Sequence, residues 1–437
     1  MLQEKIKIKA ILSATSTAWG HLFKEEERMN ELEKFKSELE NLRNELPKDL
    51  ILEIHSFKDA SEEINFVRSL NNDDMVLYVA LSFETPGLST LLEKDIPTIF
   101  YQQMYAGHTW SINLLRKSKK VLLFMGSNIK DLKNKIRVLY TYKKISRSSY
   151  ILVALEKRKD IIKRKEILEK RFNFRGEMVK PEELAKYYNA ISEEEAKKGA
   201  EEFIGKAIGI IEPSKEEVVK SYRLFLAMKK IIEDKKASGI TIDCLTLFGI
   251  GALPAYPCIG YSLLNSEGSS VAACEGDVFS LFTMHILLYL TGLPSFISDP
   301  VIDTSQNTVI HAHCVAPIKM DGERDYPYII RSHAEDNKGA SLEVKFDKVG
   351  TTMTVVEYTD ENKFVISTGE VVKTPEINKG CRTKIELKVA DARAMLENWH
   401  GGDSVSCFGL HRVLVCGNWI NEIEDLAKLL DIEVIRE

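Results

Sequence analysis

Carboxylates and imidazoles concentrate in one part of the chain: Cys274, Glu275, Gly276 and Asp277 are followed by Asp299, Asp303, His311 and His313, and His400 and His411 lie near the C-terminus. Carboxylate oxygen with imidazole nitrogen suits a first-row divalent ion, because a site meant for magnesium alone seldom recruits imidazole. Each residue also has an ordinary structural reading. Glu275 and Asp277 precede the apolar run that begins at Val278, where acidic residues cap a helix and a helix N-terminus stabilises an anion. Asp299 followed by Pro300 is a common turn initiator. His311 and His313, two apart, share one face of a strand. His411 interrupts the apolar run from Phe408 to Trp419, where a buried imidazole needs a partner and a metal is one candidate. Cys274 and Cys314 have no base beside them in sequence and read as packing.

The elements that must position these groups follow from periodicity. In the first 150 residues, apolar runs at Lys7 to Ser13, Leu50 to His55, Met75 to Ala80, Thr98 to Tyr101 and Lys120 to Met125 alternate with helical patterns such as Glu25 to Leu46 and Ala60 to Leu70. This predicts a doubly wound parallel sheet. No GxGxxG follows the first strand, so no dinucleotide cofactor is expected. The loops after the first and fourth strands hold Thr15, Trp19 and His21, and Gln102, Gln103, His108 and Trp110. Such groups are what a sugar pocket needs and what a solvent-facing loop equally contains.

A second α/β unit starts near Ser149, with a charged helix from Glu156 to Phe172 and a long helix opened by Pro213 and Ser214. Gly239 to Leu247 reads as a buried strand, and Gly249 to Ser270 as a Gly, Pro and Ser-rich loop. From about Val315 the period changes to two, at Leu342 to Phe346, Thr352 to Tyr358, Phe364 to Val372 and Arg382 to Val389, which predicts an antiparallel, barrel-like domain.

Composition narrows the class. With 437 residues, 44% hydrophobic, 29% charged and a net charge of -5, the chain is of ordinary globular type and divides into two or three domains. No basic stripe with interleaved aromatics appears, so no nucleic-acid partner is expected. The apolar run from Val278 to Leu293 carries His285 and is too short to span a bilayer, so no membrane partner is expected either. Met1 to Ala10 alternates Lys and Ile and lacks a secretory signal, which points to the cytoplasm. Seven cysteines with no CxxC pair read as reduced core thiols.

Taken in order, Leu253 to Pro257, Ser262 to Asn265, Cys274 to Asp277, Asp299, His311 to Pro317, Arg331 to Gly339, and the strands leading to His411 and Asn418 resemble the L-fucose isomerase and L-arabinose isomerase superfamily. The match covers the C-terminal half well; the N-terminal half agrees in domain pattern. The resemblance implies two Rossmann-like doubly wound α/β domains, residues 1–148 and 149–314, the second carrying Glu275 and Asp299. A β-rich C-terminal domain, 315–437, carries His411. It implies a metal-dependent interconversion of an aldose and a ketose through an enediol, with manganese the best-suited ion and no organic cofactor, and a homo-oligomer, trimer or hexamer, whose active sites are shared between subunits.

Carried over by position, Glu275 and Asp299 are the catalytic carboxylates and metal ligands and His411 is a C-terminal ligand. His313 matches a further ligand of the arabinose branch, whereas Asp rather than Glu at 299 looks like the fucose branch. Gln103 and His108 resemble a polar pair that reaches a neighbour's sugar, and Trp19, Trp110 and His333 complete the expected sugar contacts. Cys274, Asp303 and His311 are expected to support the ligands from behind. The chain is shorter than typical fucose isomerases, and the loop before Glu275 matches neither branch, so the sugar does not carry over. An isomerase of a sulfonated or phosphorylated sugar and a non-catalytic sugar-binding protein are the rival readings within this fold; composition alone also allows a metal-dependent hydrolase.

Overall fold

Apolar runs separated by charged amphipathic segments build the first sheet of the computed structural model, which describes residues 5–15, 24–104, 106, 112–116, 118–399 and 411–437. Strands β1 (Ile6–Ser13), β2 (Leu50–Phe57), β3 (Val76–Ala80), β4 (Thr98–Gln102) and β5 (Val121–Met125) alternate with helices α1 (Glu25–Leu42), α2 (Ala60–Ser69), α3 (Leu88–Glu93), α4 (Ile112–Leu115) and α5 (Leu132–Ile145). The strands pair in parallel in the order β2-β1-β3-β4-β5, a doubly wound arrangement. Every residue of β3 is buried, as expected of a strand covered on both faces.

The chain forms two compact units, Met1–Lys144 with Asn421–Ile432, and Ile145–Ile420 with Glu433–Glu437. The second opens with β6 (Ser149–Val153), β7 (Arg175–Val179), β8 (Gly209–Ile210), β9 (Gly239–Ile242) and β10 (Val271–Ala273). Its helices are α6 (Lys159–Phe172), α7 (Pro181–Ala190), α8 (Glu193–Lys206), α9 (Lys215–Lys235), α10 (Cys244–Gly249), α11 (Cys258–Glu267) and α12 (Val278–Thr291). A second parallel sheet has the order β10-β9-β6-β7. Two local expectations fail here. The strand expected over Gly239 to Leu247 stops at Ile242, where pairing with Val153 of β6 ends, and the chain turns into α10. The loop expected over Gly249 to Ser270 contains the mostly buried helix α11. Its small residues serve close packing: a Cβ on Gly260 would lie 2.8 Å from the Met228 sulfur of α9.

The remaining strands are β11 (Phe296–Asp303), β12 (Thr308–His313), β13 (Tyr328–Arg331), β14 (Ser341–Val344), β15 (Thr352–Tyr358), β16 (Lys363–Lys373), β17 (Thr383–Lys388), β18 (Arg412–Cys416) and β19 (Glu433–Arg436), with helices α13 (Ala392–Glu397) and α14 (Ile420–Leu430). Seven of them form the order β15-β18-β11-β12-β17-β16-β19, and pairing of β15 with β16 closes six into a barrel. The antiparallel sheet therefore begins upstream of residue 315, because β11 and β12 belong to it. Its apolar side chains, among them Phe296, Val355, Ile385 and Leu414, join Tyr328, Ile330 and Leu342 in one core. Among the described residues no helix is long and apolar enough to cross a membrane.

Candidate functional site

Strand β10 runs into Cys274, Glu275, Gly276 and Asp277, and α12 starts at the next residue. Glu275 and Gly276 both have left-handed backbone, with φ of 63° and 70°. A non-glycine residue is uncommon there and such strain gathers at functional sites. At Gly276 a Cβ would lie 2.8 Å from Ile161 Cδ1 and 3.3 Å from the Asp243 backbone, so the second position admits only glycine without displacement.

Both readings of Asp277 hold. Its Oδ1 accepts the Phe279 and Ser280 N–H groups at 3.0 and 3.1 Å and caps α12. Its Oδ2 accepts the Ser280 hydroxyl at 2.8 Å and His411 Nδ1–H at 2.8 Å. That bond turns His411 Nε2 toward Glu275 Oε2, 3.7 Å away, and Asp299 Oδ1, 3.4 Å away. Burial opposes charge on the His411 ring, but the Asp277 hydrogen bond and the Glu275 and Asp299 carboxylates outweigh it and raise its pKa to about 10. Burial likewise pushes Asp277 up, and His411 more than offsets this, holding it at about 2.

Asp299 is no turn residue. It lies within β11 opposite Ala312 of β12, and Pro300 is accommodated just past Ser298, the last residue that β18 pairs with. His313, at the end of β12, faces Glu275 Oε1 at 3.7 Å, and its ring centroid is 5.5 Å from that of His411. The Cys314 N–H donates to His313 Nδ1 at 2.8 Å, whereas the buried Nε2 has no hydrogen-bond partner. Ligand atoms of Cys274, Glu275 and His313 lie within 4.8 Å of one another, as do those of Asp299, His313 and Cys381. Two carboxylates converging on an imidazole nitrogen whose ring is oriented from behind by Asp277 fit a divalent first-row ion.

The other candidates divide. His311 is buried, hydrogen-bonds Ser298 Oγ through Nδ1 at 2.9 Å, and is pushed down to about 3 by burial and the Arg412 charge; it touches none of the clustered carboxylates. Asp303, expected behind the ligands, instead accepts the Ser305 and Gln306 N–H groups at 2.9 and 3.1 Å in the exposed turn between β11 and β12. Gln103 belongs to the first compact unit, where its Nε2 donates to Glu31 at 2.6 Å. His333 bonds Asp336 through Nδ1 at 3.0 Å and packs beside Tyr256 and Phe248. Trp19, His21, His108, Trp110 and His400 lie outside the described residues.

Sequence reasoning passed over Cys381, whose thiol lies 3.8 Å from Asp299 Oδ2, because no local pattern marks it. It also passed over Ser280 and Glu357. The Ser280 hydroxyl donates to Asp277 Oδ2 at 2.8 Å and lies 3.2 Å from Glu357 Oε2, so it faces two carboxyl groups with one hydrogen, an arrangement that favours the protonated form of Glu357. Burial and the charge of Asp277 hold Glu357 well above the carboxylate range, in agreement.

No protein-family model matches the chain. Sulfoquinovose isomerase of Clostridium sp. (strain MSTE9) is 27% identical over 222 residues, which cover 48% of this chain and 47% of that protein. The chain is similar to a sugar isomerase. It spans about half the length of the curated relative it matches.

Proposed function

We propose that this chain interconverts an aldose and a ketose at a divalent ion held by Glu275, Asp299 and His411. The observation that carries the reading is the convergence of two carboxylates on His411 Nε2, at 3.7 and 3.4 Å, with the ring pinned by Asp277. The named activity of the similar protein supports the reaction class. Aldose and ketose differ by a carbon-bound proton moved between C2 and C1 and a hydroxyl proton moved between O2 and O1, while the two carbons exchange oxidation state. A divalent ion supplies Lewis-acid polarisation of those oxygens.

The chain's own groups do the rest. Glu275 and Asp299 take and return the carbon-bound proton, each as the base in one direction. Asp277 keeps the His411 proton on Nδ1, which leaves Nε2 free to be a ligand once its second proton has gone. His313 differs: with Nδ1 accepting the Cys314 N–H, a neutral ring carries its proton on Nε2 and is a donor toward Glu275 and a sugar oxygen. The ligand role implied by the resemblance would require loss of that bond. Sugar contacts from Gln103, His108, Trp110, Trp19 and His333, manganese as the native ion, and a homo-oligomer that completes the site belong to the same proposal.

The test is to load metal-free protein with manganese and follow aldose-to-ketose exchange by NMR across neutral and acidic sugars. Turnover lost in Glu275→Gln with an unchanged melting profile supports the reading; undiminished turnover in that variant refutes it. A second reading, an anionic sugar as substrate, is favoured by the substrate in the relative's name.

A further inference from the structure

Lys384 is 7% exposed, and its ammonium donates to the main-chain oxygen of Cys381. Among the described residues it has no other hydrogen bond and no ion pair. The acidic group whose field reaches it most strongly is Glu343, which is already engaged by Arg331 and, at 2.5 Å, by Lys345. A buried charge left without a counter-charge is costly, and natural proteins pair such groups or use them on a ligand.

The register says where this cation lies. Asp299 pairs with Ala312, and Ala312 pairs with Lys384, so the three side chains form one row on one face of the sheet. Two strand spacings put the Lys384 backbone about 10 Å from that of Asp299, about the reach of an extended six-carbon sugar with its terminal substituent. In that row Ala312, with only a methyl side chain, stands between them. Cys381 touches both neighbours: its thiol is 3.8 Å from Asp299 Oδ2, and its carbonyl accepts the Lys384 ammonium.

We infer that Lys384 is a specificity-determining residue whose ammonium binds an oxyanion, sulfonate or phosphate, on the sugar carbon farthest from the reacting end. The inference rests on the proposed isomerase reading for the reacting end alone; binding of the anion is a separate property of the same face.

The experiment is calorimetric and needs no turnover. Glucitol, glucitol 6-phosphate and 6-deoxy-6-sulfoglucitol are titrated into the full chain, loaded with manganese, as wild type, Lys384→Met and Lys384→Arg. One of the two anionic polyols is expected to bind wild type at least tenfold tighter than glucitol, and which one does so separates phosphate from sulfonate. Lys384→Met should bring that ratio to near unity and Lys384→Arg should restore most of it, with melting curves confirming that both are folded. Equal binding of all three polyols to wild type overturns the inference, as does a ratio retained in a folded Lys384→Met. If the anion preference appears but no sugar is turned over, the isomerase reading fails and the Lys384 assignment stands; turnover without preference has the opposite meaning.

Discussion

Replacing Asp277 with asparagine tests the geometry of the proposed centre without removing any proposed ligand. The amide oxygen can keep the cap bonds to Phe279 and Ser280, at 3.0 and 3.1 Å, so α12 should persist. The amide nitrogen then occupies the position of Oδ2, which at present accepts from both the Ser280 hydroxyl and His411 Nδ1–H. Facing a donor, His411 Nδ1 must become an acceptor, and the ring proton moves to Nε2, the atom aimed at Glu275 and Asp299. A protonated Nε2 cannot be a ligand, so the ion must reverse a tautomer that the new amide holds in place. Losing the carboxylate behind a ligating histidine typically weakens metal affinity about 10 to 100-fold, about 1.4 to 2.8 kcal/mol. Calorimetric titration of manganese into metal-free wild type and Asp277→Asn measures this, with thermal melts to show that the fold survives. An affinity within about threefold of wild type would refute the claim that Asp277 sets the His411 tautomer.

Four further outcomes are expected. Glu275→Gln should lose turnover by orders of magnitude while its unfolding free energy stays within about 1 kcal/mol of wild type, because Gln removes the base and keeps the volume; activity assays beside denaturant melts decide it. With its pKa raised to about 10, His411 is protonated in metal-free protein at neutral pH. Its contribution to metal-free stability is therefore complete below the unfolded value near 6.5 and lost as pH rises through about 10, while manganese affinity should climb over the same interval with about one proton released. Calorimetry in buffers of different ionisation enthalpy counts that proton, and an affinity flat from pH 6.5 to 9 would contradict it. Glu357→Gln should change stability by less than about 1 kcal/mol, since burial and the Asp277 charge favour the neutral acid that Gln mimics, against about 3 to 5 kcal/mol for severing a true buried charge pair. Gly276→Ala should destabilise by about 1 to 3 kcal/mol, seen as a lowered melting temperature, because φ is 70° and the added methyl meets Ile161.

Much of the architecture is legible along the chain because it rests on short-range rules. The parallel strands of the first unit declare themselves as apolar runs, and α12 as an apolar stretch between a capping Asp277 and Gly292, the latter at φ 76°. The Pro213-Ser214 start is equally plain, with Ser214 Oγ capping α9 by accepting the Glu217 N–H at 3.2 Å. Where glycine and serine meant packing rather than a turn, as in α11, the local rule misled.

The site is a different matter. Glu275, Asp299, His313 and His411 stand out as residue types able to hold an ion, yet each also had a bland reading that the sequence alone left standing. Only the tertiary structure separates His313, aimed at Glu275, from His311, two residues away and bonded to Ser298. It alone turns Asp303 into a turn residue, makes Asp277 both a cap and the partner of a histidine 134 residues distant, and puts Lys384 in the row of Asp299. The physical reason is that helix and strand periods are set by backbone geometry among near neighbours, whereas these meetings depend on strand register and barrel closure, which satisfy hydrogen bonds and bury apolar surface over the whole unit at once.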